Sequence, residues 1–258
     1  MSVRIHPTAI VEQGAELDNG VVIGAFSYIG PRVQIGADVN VQHHATIENR
    51  VHIGPQCQIF PYALIGGMTQ DLKYQSTDSG VSIGRDNILR EYTTIHVATQ
   101  KDAYTALGDN NVILAYSHIA HDCQVGNHLV MSSHAALAGH VTIGDHVNIG
   151  WSTGIHQFCR IGDHTMIGAC SKVVQDVPPY MLADGNPAEV KTVNKIGLQR
   201  AGFSSKAIAL ARLAYKCLYR QPDSRAQALQ KLQAHEQADG EILQNILNFI
   251  PQSHRGLA

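Results

Sequence analysis

Charge is scarce in this chain. Asp, Glu, Lys and Arg make up 16% of its 258 residues, and the net charge is −2. A chain so balanced carries no overall electrostatic footprint for nucleic acid. Long apolar runs are also missing. No stretch reaches 18 apolar residues, which excludes an ordinary membrane-spanning helix. The opening MSVRIHPTAI has no apolar core of a secretory leader. The five cysteines (57, 123, 159, 170 and 217) form no C-x-x-C pair. That spacing points to reduced thiols and a cytoplasmic protein. Cys123 and Cys159, two coils apart in the repeat described next, are too distant for a disulfide.

What the chain has instead is a period of six. Of the 29 positions taken every sixth residue from Ile5 to Val173, 26 hold Ile, Val, Leu or Met; the exceptions are Asp71, Thr77 and Lys101. Glycine often follows the aliphatic residue, as at Gly24, Gly36, Gly126 and Gly144. Neither a helix nor an alternating strand has this period. One inward aliphatic per six, followed by glycine at a tight corner, suits a triangular solenoid of short flat sides. Three hexads would make one coil of about 18 residues, with coils about 4.8 Å apart. The exceptions fall in two segments, 67–80 and 97–106, read as loops thrown out from the prism, and loops on a rigid scaffold are common sites of function.

After Val173 the period ends, and QDVPPYMLADGNPAEV reads as an exit segment. Helical patterns follow in AIALARLAYKCLYR, RAQALQKLQAHEQ and EILQNILNFI, with a Pro-Asp break at 222–223. The expected organisation is an all-β parallel solenoid over 1–190 and a small helical domain over 191–258.

Eight of the fifteen histidines lie between 118 and 164. His128, His134, His140, His146 and His164 share the fourth place of a hexad, facing outward on different sides, so they cannot all converge on one metal. Residues 18 apart should stack. Gly139 then lies one coil from His121, Gln157 one coil further, and His140 one coil from Asp122. This column supplies a base, a carboxylate to orient it and an unobstructed backbone N–H. His156 sits at the inner side of the HQFC turn, where a structural role is as plausible as a chemical one. Zinc needs three or four ligands at one point, and the spacing shows no such set, so no metal is expected.

Several stretches together carry a family resemblance: HIAHDC (118–123), AGH (138–140), HQFC (156–159), QDLKY (70–74) and DVPPY (176–180). The chain resembles the UDP-N-acetylglucosamine O-acyltransferases of lipid A biosynthesis over essentially its whole length. The resemblance implies a left-handed parallel β-helix of hexapeptide repeats with a helical tail. It implies His121 as general base toward the sugar 3-hydroxyl, Asp122 as its orienting partner and the Gly139 N–H as oxyanion donor. Asp71 and Lys73 would reach the sugar or nucleotide from a neighbouring subunit. His118, His140, His156 and Gln157 would line the sugar and pantetheine region, and Asn194 and Arg200 the nucleotide phosphates. Ala169 would end the acyl groove and admit a medium to long 3-hydroxyacyl chain.

The implied assembly is a homotrimer with clefts between subunits, His121 of one chain facing His140 or loop residues of its neighbour. No cofactor is bound permanently; acyl-phosphopantetheine arrives on acyl carrier protein. A charge asymmetry suits that partner: Val190 to Arg220 holds seven basic residues and no acidic one. The chain departs from the family pattern at Val97, Ile196 and Ala201, all at the donor or nucleotide end. A related amino-sugar N-acyltransferase, or one with another nucleotide-sugar acceptor, is the alternative. A metal-dependent hydratase and a non-catalytic scaffold are readings from other classes.

Overall fold

In the computed structural model, residues 1, 76, 77, 222, 223 and 239 are left undescribed. The repeat exception Thr77 and the Pro222–Asp223 break therefore lie outside the described residues. From Arg4 to Val173 the chain winds into short strands, most of two residues, that stack in parallel. Among the described residues three sheets result, of 11, 9 and 8 strands, one for each side of a triangular prism. The repeat aliphatics fill the interior; Ile29, Ile47, Ile65, Ile95, Ile119 and Leu137 are completely buried in one column.

The corners differ from the expectation at one point. The glycines after the aliphatic residues mostly keep ordinary backbone angles. The left-handed residue is the one at the fourth place, such as Asp122 (φ 59°) and His140 (φ 61°). Asn, Asp and His tolerate that conformation better than most side chains, which helps to explain the histidine wealth. Glycine is needed for close approach between coils. A Cβ on Gly24 would lie 2.6 Å from the His43 nitrogen, and one on Gly126 would lie 2.3 Å from Asp145 Oδ1.

The fourth-place rings do not point into separate space on the flat sides but pile into columns along the corners. His128, His146 and His164 stack at 4.5 and 4.7 Å. Tyr62, Tyr92, Tyr116 and His134 stack on another corner, at 5.0, 4.8 and 4.9 Å. His140 stacks on Phe158. Cys123 and Cys159 occupy core positions with Val141 between them, and none of the five cysteines is in a disulfide. Burial pushes the Cys123 thiol up to about 12 and Cys159 up to about 11, so both are inert packing groups.

The loops leave the prism without disturbing its phase. Gln58 pairs with Ile88, 30 residues on; Ile88 pairs with Val112, 24 on; Val112 pairs with Val130, 18 on. Both excesses over 18 are multiples of six, so each aliphatic returns to its own side.

Beyond Val173 the exit segment is more ordered than its sequence suggests. Met181–Gly185 joins the first sheet and forms an antiparallel hairpin with Ala188–Val193 around Asn186 and Pro187. Among the described residues four α-helices follow: α1 (Lys195–Arg200), α2 (Ser205–Tyr219), α3 (Arg225–Gln233) and α4 (Glu241–Phe249). Ser224 and Gln227 close a capping box at the start of α3, which ends at Gln233, short of the expected AHEQ. Helix α4 buries Ile242, Leu243, Ile246 and Phe249. The tail then returns to the prism, where the Ser253 hydroxyl donates to the buried Asp176 carboxylate at 2.6 Å. Among the described residues, no helix is long and apolar enough to cross a membrane.

Candidate active site

The corner after Ile119 places His121 immediately before the left-handed Asp122. This geometry turns the carboxylate back onto the preceding ring: His121 Nδ1 lies 2.8 Å from Asp122 Oδ2. The two side chains are only 14% and 11% exposed. An ionised carboxylate can only accept, so the hydrogen sits on Nδ1 and the Nε2 lone pair is left free. That nitrogen faces the next coil at Gly139. A Cβ there would lie 2.5 Å from Nε2 and 2.4 Å from Cε1, so only glycine leaves the ring in place. Among the described residues, the Gly139 N–H donates to no backbone carbonyl, while the neighbouring His140 N–H donates to the His121 carbonyl at 3.0 Å.

His140 meets His121 edge to face at 5.1 Å, and its Nε2 lies 3.5 Å from Asp122 Oδ2. His140 approaches His121 within one chain, as the 18-residue stacking of His140 over Asp122 predicts. The loop does likewise. Gln70, Asp71, Leu72 and Lys73 line the same cleft, of about 880 Å³, as the His121 of their own chain. Asp71 Oδ1 accepts the Lys73 N–H at 2.9 Å and so shapes the turn that presents Lys73. Leu72 is wholly exposed.

His118 lines the cleft wall, and burial pushes its pKa down to about 4, helped by His96 and His121. It stays neutral near pH 7, with Nδ1 2.7 Å from Thr94 Oγ1. His156 is exposed, not turned inward, and its Nδ1 lies 3.0 Å from the Gln157 carbonyl. Both it and Gln157 line the cleft. The left-handed corner at Phe158 follows directly after this pair.

Asn194 and Arg200 lie elsewhere, in a second cavity of about 970 Å³ lined also by the His128, His146 and His164 column and by Arg212. Asn194 is buried and caps α1: its Oδ1 accepts the Gly197 N–H, and its Nδ2 donates to the His164 carbonyl. Its side chain is thus committed to holding the helix that carries the exposed Arg200. Ile196 and Ala201 line this cavity too. Ala169 is exposed and lines neither cavity.

Two contributors escaped the sequence reading. His96 is buried beside His118, ring centroids 4.7 Å apart. Thr99, on the second loop, donates both its N–H and its hydroxyl to Asp122. Among the described residues, His121, Asp122 and His140 are the group whose donor atoms approach within 4.8 Å, the set that could meet a metal ion. The carboxylate in this set is already engaged by His121 and Thr99, an arrangement that also suits a base held in one tautomer.

Residues 26–61 match the family model described as bacterial transferase hexapeptide (six repeats), and residues 176–258 match that of UDP-N-acetylglucosamine O-acyltransferase, domain 2. The chain is 45% identical to an acyl-[acyl-carrier-protein]–UDP-N-acetylglucosamine O-acyltransferase of Paraburkholderia phymatum, with 98% of each chain covered. Its fold superposes on a UDP-N-acetylglucosamine acyltransferase from Francisella novicida with a TM-score of 0.94 at 36% identity, covering 98% of this chain and 93% of the other. For the enzyme from Campylobacter jejuni the TM-score is 0.93 at 37% identity, with 98% of each chain covered. The solenoid is accordingly a left-handed parallel β-helix.

Proposed function

The chain belongs to the UDP-N-acetylglucosamine O-acyltransferase family, and on that premise we propose that His121 is the general base of its acyl transfer. The enzyme transfers an acyl chain from acyl carrier protein to UDP-N-acetylglucosamine. The observation that carries the proposal is the free Nε2 of His121, its Nδ1 hydrogen held by Asp122 at 2.8 Å and its face set against Gly139. Neutral imidazole takes the proton of the sugar 3-hydroxyl as that oxygen attacks the thioester carbonyl. The tetrahedral oxyanion accepts the Gly139 N–H. Collapse breaks the carbon–sulfur bond, and the departing pantetheine sulfur takes the proton back from His121. The thioester supplies the activated 3-hydroxyacyl group, so the step requires no resident metal or cofactor.

Lys73 and Asp71 close over the sugar from the loop, and His118, neutral at pH 7, offers a hydrogen bond without competing for the proton. His140, His156 and Gln157 line the rest of the cleft. Nucleotide phosphates fall to Arg200, held by the Asn194 cap. Arg200 and His121 line separate cavities, so a homotrimer that sets one chain's second cavity against its neighbour's cleft completes the site. The carrier docks on the exposed basic face of α2, with Lys206, Arg212 and Lys216. Five cysteines outside any disulfide fit a reducing, cytoplasmic setting. A second reading, transfer to another nucleotide sugar or to an amine, draws support from Ile196 and Ala201 in the Arg200 cavity.

The test is a competition assay read by mass spectrometry, with a ladder of 3-hydroxyacyl-carrier proteins and hydroxyl or amine acceptors. Acylated UDP-N-acetylglucosamine from wild type and none from His121→Ala is the expected result. Exclusive acylation of an amino acceptor would favour the second reading, and activity in His121→Ala would remove the proposed base.

A further inference from the structure

The carboxylate that holds the base is itself held from a distance. Thr99 lies on the second loop, 23 residues from Asp122. Its backbone N–H reaches Asp122 Oδ1 at 3.1 Å and Oδ2 at 3.2 Å, and its hydroxyl donates to Oδ2 at 2.7 Å. Oδ2 is the same oxygen that accepts from His121 Nδ1. The Asp122 N–H donates in turn to Thr105 Oγ1 at 2.9 Å, from the strand that ends the same loop. A carboxylate offers about four acceptor sites; here His121 takes one and the Thr99 hydroxyl and N–H two more, while His140 also faces the pair, its Nε2 3.5 Å from Oδ2, and His96 and His118 line the same cleft.

Thr99 is not free to drift. Ala98 beside it is fully buried, its carbonyl accepting the Ser79 hydroxyl and its N–H donating to the Gly80 carbonyl at 3.3 Å. Arg50 bridges the two loops, 3.4 Å from Asp78 and 3.3 Å from Asp102, and the Asp102 N–H donates to the Asp78 carbonyl at 2.8 Å. The loop that carries Asp71 and Lys73 therefore also pins the backbone from which Thr99 reaches Asp122.

We infer that Thr99 is a positioning residue for the catalytic pair: it keeps Asp122 ionised and fixes Oδ2 against His121 Nδ1, so that Nε2 alone is free to act as base. The inference rests on the reading of His121 as the base. The electrostatics agree with the geometry. Burial pushes the Asp122 carboxyl up, but the Thr99 hydroxyl, His121 and the Thr99 N–H more than offset that and hold it below the usual carboxylate range. Without the Thr99 hydroxyl, the negative charge on Oδ2 is shared with one donor fewer. It then attracts a proton on the His121 ring more strongly, and the imidazolium persists to higher pH.

The experiment compares Thr99→Val, which keeps the shape and the backbone N–H, with Thr99→Ser, which restores the hydroxyl. Removing one hydrogen bond to a charged group is worth about tenfold to a hundredfold in kcat. Thr99→Val should lose that much, with KM for the sugar nucleotide changed less than about twofold. The acid limb of kcat/KM should move to higher pH, and Thr99→Ser should recover both rate and profile. Titration of the His121 ring by NMR, assigned with His121→Ala, should show the same upward shift in Thr99→Val. An unmoved acid limb with an unmoved His121 titration would overturn the inference, whatever the loss in rate. If wild type acylates no acceptor, the functional reading fails instead, and the ring titration still decides the role of Thr99.

Discussion

Gly139→Ala isolates the geometry of the base from everything else in the cleft. The added Cβ would stand 2.5 Å from His121 Nε2 and 2.4 Å from Cε1. Non-bonded heavy atoms settle at about 3.5 Å, so roughly 1 Å of movement is needed. The backbone has little room to supply it, because the Phe158 N–H donates to the Gly139 carbonyl at 3.1 Å and the His140 N–H to the His121 carbonyl at 3.0 Å. The ring must give instead, and it is tied to Asp122 at 2.8 Å and walled by His140. Misplacement of a reacting group by about 1 Å costs on the order of 10²-fold. Gly139 has no left-handed backbone angle, so alanine adds no strain of that kind and the prism should remain folded. The expected outcome is a kcat lower by about a hundredfold or more, with a thermal midpoint within a few degrees of wild type. Steady-state kinetics with acyl carrier protein and UDP-N-acetylglucosamine, beside calorimetry, reads both. A kcat within about threefold of wild type would refute the account of how Gly139 and His121 meet.

Other perturbations follow from the same structure. Lys206→Glu with Lys216→Glu should raise KM for acyl carrier protein several-fold in low salt and less in high salt, leaving KM for the sugar nucleotide alone; salt-independent loss would argue against docking on α2. His118 has a folded pKa near 4, below the unfolded value of about 6.5. The unfolded chain therefore binds the extra proton between these values, so stability rises with pH across that window, and is lost as pH falls through it, by up to about 1.4 kcal/mol per pH unit. His118→Asn should flatten that stretch of the pH–stability curve from chemical denaturation, and an unchanged slope would contradict the buried neutral ring. Ala169→Met should shift donor preference toward shorter acyl chains in a competition assay, and an unchanged preference would remove Ala169 from the acyl path.

The column joining His121 to Gly139 was legible from the sequence because both lie beyond the loops, where each coil is 18 residues and arithmetic finds the neighbour. His96 and Thr99 were not legible. The loops lengthen two coils to 30 and 24 residues, and Thr99 sits 23 from its partner, off every multiple of six. Asn194 could be placed near the nucleotide end, but its side chain turned out to be a helix cap, since residue type alone does not distinguish a cap from a ligand contact.

The six-residue period by itself determined the prism, its interior and its phase, because one aliphatic must turn inward on each short side and glycine must follow wherever coils approach most closely. It also determined that His121, Asp122, Gly139 and His140 share one corner. Only the tertiary structure decided that burial pushes the His118 pKa down, and that a loop clasped by Arg50 and Ser79 brings Thr99 onto the carboxylate. A repeat encodes contacts at its own spacing. Burial, loop closure and hydrogen bonds between distant segments have no period, and they exist only once the chain has folded.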